Sequence, residues 1–208
     1  MSRPPKVVIL DCDGVILESV DAKTRAFAEL FAAYGPEAAR AAVAHHLAHG
    51  GVSRYEKFRH IFREHLGREL PQDQERALGQ RFTELCYREV LAAPFVPGAR
   101  EFIEQAGACA ALYVASGTPE AELLEIFRQR GLAGLFRGVF GSPASKAAII
   151  ADVLAREQAA PPEAVLVGDS STDLEAALAT GVRFFGRGTF PGQACAEDLS
   201  GLFGLLFA

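Results

Sequence analysis

The chain has 208 residues, of which half are hydrophobic and 23% are charged, as is typical of a soluble domain with a core of its own. Its formal net charge of −5 and its lack of a basic tract argue against nucleic acid as a partner. The first apolar run is too short for a signal peptide or a membrane span, and the four cysteines are scattered. We therefore expect a cytoplasmic protein, monomeric or homodimeric, with no membrane partner.

The first predicted element is a short buried strand at residues 6–10, rich in Val and Ile. It ends at Asp11-Cys12-Asp13-Gly14, so that two carboxylates one residue apart follow the strand. Open α/β sheets build their ligand sites at the carboxyl ends of strands. Two carboxylates this close disfavour each other's ionisation unless they bind a cation, and carboxylate oxygens suit Mg²⁺ better than zinc. The motif therefore predicts a metal-assisted carboxylate site.

The next segment, residues 17–92, shows only helical periodicity. We predict helices at 19–34, 36–48, 54–66 and 72–91, the first of which ends at Gly35-Pro36. After the break at residues 94–98, strands and helices alternate to the end of the chain. The predicted strands are 111–115, 137–140, 164–167 and 182–185, and the predicted helices are 98–106, 119–130, 145–157 and 172–180, followed by an apolar tail helix.

This alternation predicts an α/β fold, in which a Rossmann-like parallel sheet core carries an inserted all-helical cap. We expect residues 1–16 and 93–208 to form the core and residues 17–92 to form the cap domain.

Further polar groups follow the later strands. Ser116-Gly117-Thr118 comes after the strand at 111–115, Lys146 begins a helix, and Gly168-Asp169-Ser170-Ser171-Thr172-Asp173 follows the strand at 164–167. Because parallel strands end at one edge of a sheet, these groups are expected beside Asp11 and Asp13. Carboxylates, a hydroxyl with neighbouring backbone N–H groups and a lysine suit phosphoryl transfer, in which a carboxylate attacks phosphorus and positive charge offsets the repulsion.

These four motifs, in this order, resemble those of the haloacid dehalogenase superfamily over nearly the whole chain. The helical insertion resembles the cap of its phosphoglycolate phosphatase-like and β-phosphoglucomutase-like members. The resemblance implies a Mg²⁺-dependent phosphatase that acts on a small phosphorylated metabolite through an aspartyl-phosphate.

The same resemblance implies a role for each motif residue. Asp11 would be the nucleophile and a metal ligand, and Asp13 would be the general acid/base and bind Mg²⁺ through its backbone carbonyl. Asp169 would be the second carboxylate ligand, with Asp173 ligating directly or lying beside the metal. Ser116 and Lys146 would bind the transferring phosphoryl group, and Gly117 would help to bind the substrate.

In the cap, Gly50-Gly51-Val52-Ser53-Arg54 resembles a substrate-specificity loop. Arg54 would then meet an anionic group of the substrate, with Lys57 as a further contact, and the two glycines would let the backbone approach a ligand. The alternative is a turn between helices with a solvated arginine. Ser19 is a candidate hinge residue between core and cap.

Three other functions remain open. A phosphomutase of this family typically carries a histidine roughly where Lys23 lies, which argues against that activity. A haloacid dehalogenase does not need the second aspartate, so Asp13 argues against it. The third alternative is a non-catalytic binding protein on the same fold, because fold alone does not determine function.

Overall fold

The computed structural model describes residues 3–208, and in this part of the chain six parallel strands form one sheet. Its strands are β1 (Val7–Leu10), β2 (Ala111–Pro119), β3 (Gly138–Ser142), β4 (Ala164–Gly168), β5 (Arg183–Arg187) and β6 (Ala194–Ala196). Their spatial order is β3-β2-β1-β4-β5-β6. The predicted α/β fold with a Rossmann-like parallel sheet is therefore confirmed.

Helices surround the sheet. They are α1 (Val20–Ala32), α2 (Pro36–Ala48), α3 (Arg54–His65), α4 (Gln72–Ala92), α5 (Ala99–Gly107), α6 (Glu120–Gln129), α7 (Lys146–Glu157), α8 (Ser171–Thr180) and α9 (Leu202–Phe207). Every predicted helix and strand is present, although some ends are shifted. Strand β6 was not predicted, because its three residues are mostly exposed and show no apolar alternation. None of the described helices has the length and apolar character needed to cross a membrane.

Strand β1 lies at the centre of the sheet, between β2 and β4, and all four of its residues are buried. Because both faces of a central parallel strand are covered, its residues are all apolar, which explains why β1 is uniformly hydrophobic. Leu10 lies opposite Val114 of β2 and Val167 of β4. The residues that follow these three strands therefore emerge side by side at one edge.

Helices α1 to α4 lie between β1 and β2 in the chain and pack around a cluster of aromatic rings. In α3, Phe58, Ile61 and Phe62 are buried, and their i, i+3, i+4 spacing places them on one face of the helix. The ring centroids of Phe27 in α1 and Phe82 in α4 are 4.8 Å apart. This aromatic cluster holds the four helices together as one layer above the carboxyl edge of the sheet.

Two chain crossings join this helical layer to the sheet. Residues 16–18 and 94–96 run side by side: the Glu18 N–H donates to the Pro94 carbonyl at 3.0 Å and the Val96 N–H to the Ile16 carbonyl at 3.1 Å. The division into a core (1–16 and 93–208) and a cap (17–92) stays a prediction, and these paired crossings are where such a boundary would fall.

Candidate active site

A cavity of about 300 Å³ lies between the carboxyl edge of the sheet and helices α1 to α4. The chain builds the sheet outward from β1 in one direction through β2 and β3, then in the other through β4 to β6, so that the cavity lies at the point where the strand order reverses. The polar residues that line it are Asp11, Asp13, Lys23, His46, Arg54, Lys57, Thr118, Asp169, Ser170 and Ser171.

Three carboxylates meet at the sheet end of this cavity. Asp11, Asp169 and Asp173 each present an oxygen within 4.8 Å of the other two. Lys146, the first residue of α7, places its Nζ 2.7 Å from Asp11 Oδ2 and also donates to Asp173. The structure thus brings together four residues that the sequence predicted to share an edge.

Burial and mutual repulsion shape the charges of this carboxylate cluster. Burial raises the pKa of Asp11 to about 7 and that of Asp169 to about 8, and the neighbouring carboxylates add to both shifts although Lys146 opposes them. Burial disfavours the charged form of Lys146, but Asp11 and Asp173 raise its pKa overall. One ammonium therefore faces three carboxylates, an excess of negative charge that a divalent cation can balance.

The donors of this cluster fit Mg²⁺. They are all oxygens, the ligand type that this hard cation prefers. The backbone at Gly14 lies against the same cluster, since a Cβ there would fall 2.0 Å from Asp169 Oδ2, and its φ of +78° also favours glycine. The backbone at Gly14 thus lies close to the carboxylate oxygens of the cluster.

The side chain of Asp13 lies apart from this cluster. Its Oδ1 accepts a hydrogen bond from Ser19 Oγ at 2.5 Å, and its Oδ2 accepts one from Lys23 Nζ at 2.5 Å and one from Thr118 Oγ1 at 3.1 Å. Burial would raise the pKa of Asp13, but Lys23 and these hydrogen bonds lower it to about 2. Two carboxylates two residues apart thus have opposite shifts, an arrangement typical of groups with different roles in proton transfer.

Ser116 and Lys146 also line a neighbouring cavity of about 310 Å³, to which the sheet, α7 and α8 contribute. Ser116 is buried, and its Oγ accepts a hydrogen bond from the Thr118 N–H at 3.1 Å. The lining of the first cavity includes Gly117 and Thr118 but not Ser116. Residues 116–118 therefore lie between the two cavities, which share Gly51, Val52 and Gly117 in their linings.

The segment with Gly50 and Gly51, which joins α2 to α3 and is called the glycine loop below, contacts the core at this point. A Cβ on Gly117 would lie 2.2 Å from the Gly51 carbonyl oxygen, and one on Gly51 would lie 2.7 Å from Lys146 Nζ. Thr172 Oγ1 donates a hydrogen bond to the Gly50 carbonyl. Gly50 and Gly51 line the cavity, where a ligand could approach them, and their backbone also lies close to the core.

Arg54 and Lys57, both predicted to bind substrate, line the cavity from α3 and are buried. The solvated-arginine alternative for Arg54 is therefore wrong. Arg54 donates to Glu122 Oε1 of α6 at 2.6 Å and to Thr83 Oγ1 of α4 at 2.8 Å. The Lys57 Nζ lies 3.1 Å from His46 Nδ1.

Four residues around the site were not predicted in the roles that their contacts indicate. Ser19, which we predicted as a hinge, hydrogen-bonds to Asp13, and Lys23 and Thr118 complete the surroundings of that carboxylate. The i, i+4 spacing of Ser19 and Lys23 could have revealed their shared helix face. His46 carried no such signal, because it lies in an Ala-rich helix next to another histidine.

The family model for haloacid dehalogenase-like hydrolases matches residues 5–181 of the chain. The protein therefore belongs to the haloacid dehalogenase-like hydrolases, as the four motifs indicated, and their hydrolase activity is the activity expected of it. A search of curated proteins finds no significant match to the chain.

Solved structures support the same fold. A protein described as a predicted phosphoglycolate phosphatase from Haemophilus somnus 129PT is 18% identical, with a TM-score of 0.74 over 97% of both chains. CbbY from Rhodobacter sphaeroides, in complex with xylulose 1,5-bisphosphate, is 22% identical, with a TM-score of 0.73 over 98% of this chain and 100% of that one. A β-phosphoglucomutase candidate from Bacteroides vulgatus is 16% identical, with a TM-score of 0.75 over 95% of this chain and 86% of that one.

Proposed function

We propose that the protein is a Mg²⁺-dependent phosphatase that hydrolyses a small phosphorylated metabolite through an aspartyl-phosphate at Asp11. The observation that carries this proposal is the cluster of Asp11, Asp169 and Asp173 around Lys146 at the sheet end of the cavity. Such a cluster supplies a carboxylate nucleophile together with places for positive charge, which phosphoryl transfer to a carboxylate requires.

In the first step, an oxygen of Asp11 attacks phosphorus and the bond between phosphorus and the leaving oxygen breaks. Because its low pKa leaves Asp13 ionised, Asp13 first takes a proton from Lys23 across their 2.5 Å contact and passes it to the leaving oxygen, so that Asp13 ends this step as a carboxylate. In the second step, a water attacks phosphorus and returns a proton to Asp13, which releases inorganic phosphate and free Asp11. Lys146, Ser116 and the N–H of Gly117 would hold the phosphoryl oxygens.

Asp11, Asp169 and the backbone carbonyl of Asp13 would hold Mg²⁺, with Asp173 as a further ligand or as the residue that positions Lys146. The bound metal ion supplies positive charge that offsets the repulsion between the phosphate and the carboxylates. We propose residues 17–92 as a mobile cap, because closure of such a layer over the cavity would exclude water from the reaction.

The test is phosphate release from a panel of phosphorylated metabolites, measured with Mg²⁺ and with a chelator. We expect Mg²⁺-dependent hydrolysis of at least one ester and none by the Asp11→Asn variant. Interconversion of sugar phosphates without phosphate release would instead indicate a phosphomutase. Chloride release from a 2-haloacid without Mg²⁺ would indicate a dehalogenase, and inactivity on every substrate would favour a non-catalytic binding protein.

A further inference from the structure

Arg187, the last residue of β5, makes a set of contacts that the proposed chemistry does not use. Its Nη1 donates to the Gly14 carbonyl at 2.9 Å and to Glu18 Oε2 at 3.0 Å, and its Nη2 donates to Glu18 Oε1 at 2.6 Å. Its Nε donates to the Glu197 carbonyl at 3.1 Å. A guanidinium has five N–H donors in a fixed planar fork, and four of them are used here at once. Arg187 therefore ties the segment after β1 to a strand two places away in the sheet.

The order of the strands places Arg187 near the carboxylate cluster. In the pairing of β4 with β5, Gly186 lies opposite Gly168, the residue before Asp169. Arg187 thus emerges at the carboxyl edge of the sheet, one strand beyond the cluster. Because β4 separates β5 from β1, only a long side chain can reach from this position to the residues that follow β1.

Residues 14–18, which we call the hinge turn, form a compact turn at the start of the first chain crossing. The Gly14 N–H donates to the Leu17 carbonyl at 2.8 Å, and the Leu17 N–H donates to the Cys12 carbonyl at 2.9 Å. Arg187 holds this turn at both ends, by the carbonyl of Gly14 at its start and by the carboxylate of Glu18 at its end.

The hinge turn determines the surroundings of Asp13. Asp13 directly precedes the turn and Ser19 directly follows it, and Ser19 Oγ donates a hydrogen bond to Asp13 Oδ1 at 2.5 Å. At the start of the turn, the backbone of Gly14 lies against Asp169. A shift of the turn would therefore move Asp13 relative to both the Ser19 hydroxyl and the carboxylate cluster. Since the turn leads into the helical layer, motion of that layer would displace it unless the turn is anchored to the sheet.

We propose that Arg187 is a positioning residue for Asp13. By holding both ends of the hinge turn, it keeps the carboxylate and the Ser19 hydroxyl in the arrangement that proton transfer to the leaving oxygen requires. This inference rests on the proposed phosphatase function, in which Asp13 passes a proton to that oxygen. Arg187 is not among the residues that line the two cavities, so its effect on the reaction passes through the turn.

The ion pair is suited to a test that separates positioning from folding. The side chains of Arg187 and Glu18 are 22% and 36% exposed, and ion pairs with this access to water contribute little to stability. The matched control is Arg137→Met. Arg137 also contacts both carboxylate oxygens of a glutamate, Glu157, at 3.0 and 2.8 Å, but it precedes β3 and so lies at the opposite edge of the sheet.

The test compares two phosphate esters that differ in their need for a general acid. The alkoxide that leaves from glycerol 3-phosphate, or from the alkyl phosphate hydrolysed fastest in the metabolite panel, must be protonated. The nitrophenolate of 4-nitrophenyl phosphate leaves without a proton. The measured quantity is kcat/KM, which covers the steps up to phosphorylation of Asp11 and excludes hydrolysis of the intermediate.

We expect Arg187→Met to lower kcat/KM for the alkyl ester by about tenfold or more, and for the aryl ester by less than about threefold. Arg187→Lys keeps the charge but lacks the planar fork, so it should recover only part of the loss. Glu18→Gln should show the same selectivity with a smaller loss. Arg187→Met/Glu18→Gln should be no slower than Arg187→Met alone, because both residues act through one contact. Arg137→Met should match the wild type on both esters.

Amide hydrogen exchange measures the anchoring of the hinge turn without turnover. The amides of residues 14–19 should exchange faster in Arg187→Met than in the wild type or in Arg137→Met, whereas those of β1 should not change. Unchanged exchange in residues 14–19 would overturn this inference, and so would an equal loss of kcat/KM on both esters or no loss on the alkyl ester.

The outcomes for the phosphatase function are separate. If the wild type hydrolyses both esters and Arg187→Met shows no selective loss, the phosphatase function stands and the positioning role of Arg187 falls. If the wild type hydrolyses no ester but residues 14–19 exchange faster in Arg187→Met, the phosphatase function and the role of Asp13 fall, whereas the anchoring of the turn by Arg187 stands.

Discussion

A buried lysine lines the cap end of the cavity and another lies behind the carboxylates at its sheet end, but the two ammonium groups have opposite surroundings. At the sheet end, Lys146 contacts Asp11 and Asp173, and these carboxylates raise its pKa despite burial. At the cap end, the Lys57 Nζ lies 3.1 Å from His46 Nδ1, and burial lowers its pKa to about 7. Burial alone therefore does not decide whether a charge stabilises a fold, because its partners do. Lys146 is held by two carboxylates, whereas no carboxylate of the described residues lies within 4.0 Å of the Lys57 ammonium.

The largest expected effect concerns the chemistry at the sheet end. Asp11→Asn replaces the attacking carboxylate with a poorly nucleophilic amide of the same shape, so kcat should fall by roughly a thousandfold or more, which corresponds to about 4 kcal/mol in activation free energy. Phosphate release with Mg²⁺ measures this. Asp152→Asn, on the exposed face of α7 where the aspartate pairs with Arg156, is the control and should keep full activity. A comparable loss of kcat in both variants would show that Asp11 has no special role in the reaction.

The second prediction is that one substitution has opposite effects at the two ends. Lys146→Met leaves buried carboxylates without their shared cation and should lower the free energy of unfolding by about 3 kcal/mol. Lys57→Met should leave the free energy of unfolding unchanged or raise it. Urea unfolding in a chelator at pH 7 compares the two variants with the wild type. A similar loss of stability in both would refute the contrast between the two lysines.

The third prediction concerns pH. In the absence of metal, the pKa values of Asp11 and Asp169 in the folded protein, about 7 and about 8, lie above their ordinary value of 3.8. Between about pH 4 and pH 8 the folded state therefore binds more protons than the unfolded state, and stability falls as pH rises. We expect a loss of several kcal/mol from pH 5 to pH 8 in a chelator.

Added Mg²⁺ should reduce this loss, because the cation favours the ionised carboxylates. Urea unfolding at both pH values, with and without Mg²⁺, measures the difference. Asp13 behaves oppositely: its pKa of about 2 lies below the ordinary value, so its contribution is present above about pH 4 and is lost as pH falls towards 2. A free energy of unfolding that rises from pH 5 to pH 8 in the chelator would contradict the raised pKa values of Asp11 and Asp169.

The smallest of these effects tests the contact between the two ends. In Gly117→Ala the new methyl group would lie 2.2 Å from the Gly51 carbonyl oxygen and push the glycine loop away from the core. We expect kcat/KM to fall by about tenfold, since small displacements of catalytic groups slow reactions strongly. Gly134→Ala is the control, because a Cβ there meets nothing within 4 Å. Unchanged kinetics in Gly117→Ala would show that the approach of the loop is not needed.

The sheet end could be predicted from the sequence because its residues follow local rules. Asp11 and Asp169 each come directly after a buried apolar strand, and Lys146 begins a helix after a third strand. The paired register of β1, β2 and β4 then brings strand-end residues to one edge. Short-range patterns of this kind hold in any parallel sheet, so no tertiary information was needed.

The cap end could not be predicted in the same detail. The partner of Arg54 is Glu122, 68 residues away, and that of Lys57 is His46 on a different helix. Such pairings depend on how four helices pack, which their periodicity does not determine. Asp13 is an intermediate case. Its position was predicted, but its ion pair with Lys23 depends on the orientation of α1, which the sequence pattern does not determine. The sequence therefore locates the residues at the sheet end of the cavity better than those at its cap end.

The covalent step at Asp11 is tested most directly by trapping the intermediate. A phosphate ester that the enzyme hydrolyses is mixed with the enzyme and Mg²⁺, and the reaction is stopped with acid within one turnover. The protein is then digested and its peptides are analysed by mass spectrometry. We predict that the peptide containing Asp11 gains the mass of one phosphoryl group, with the modification on Asp11 itself, and that Asp11→Asn shows none. Phosphate release by Asp11→Asn at the wild-type rate, or a phosphoryl group on another residue during turnover, would contradict the account.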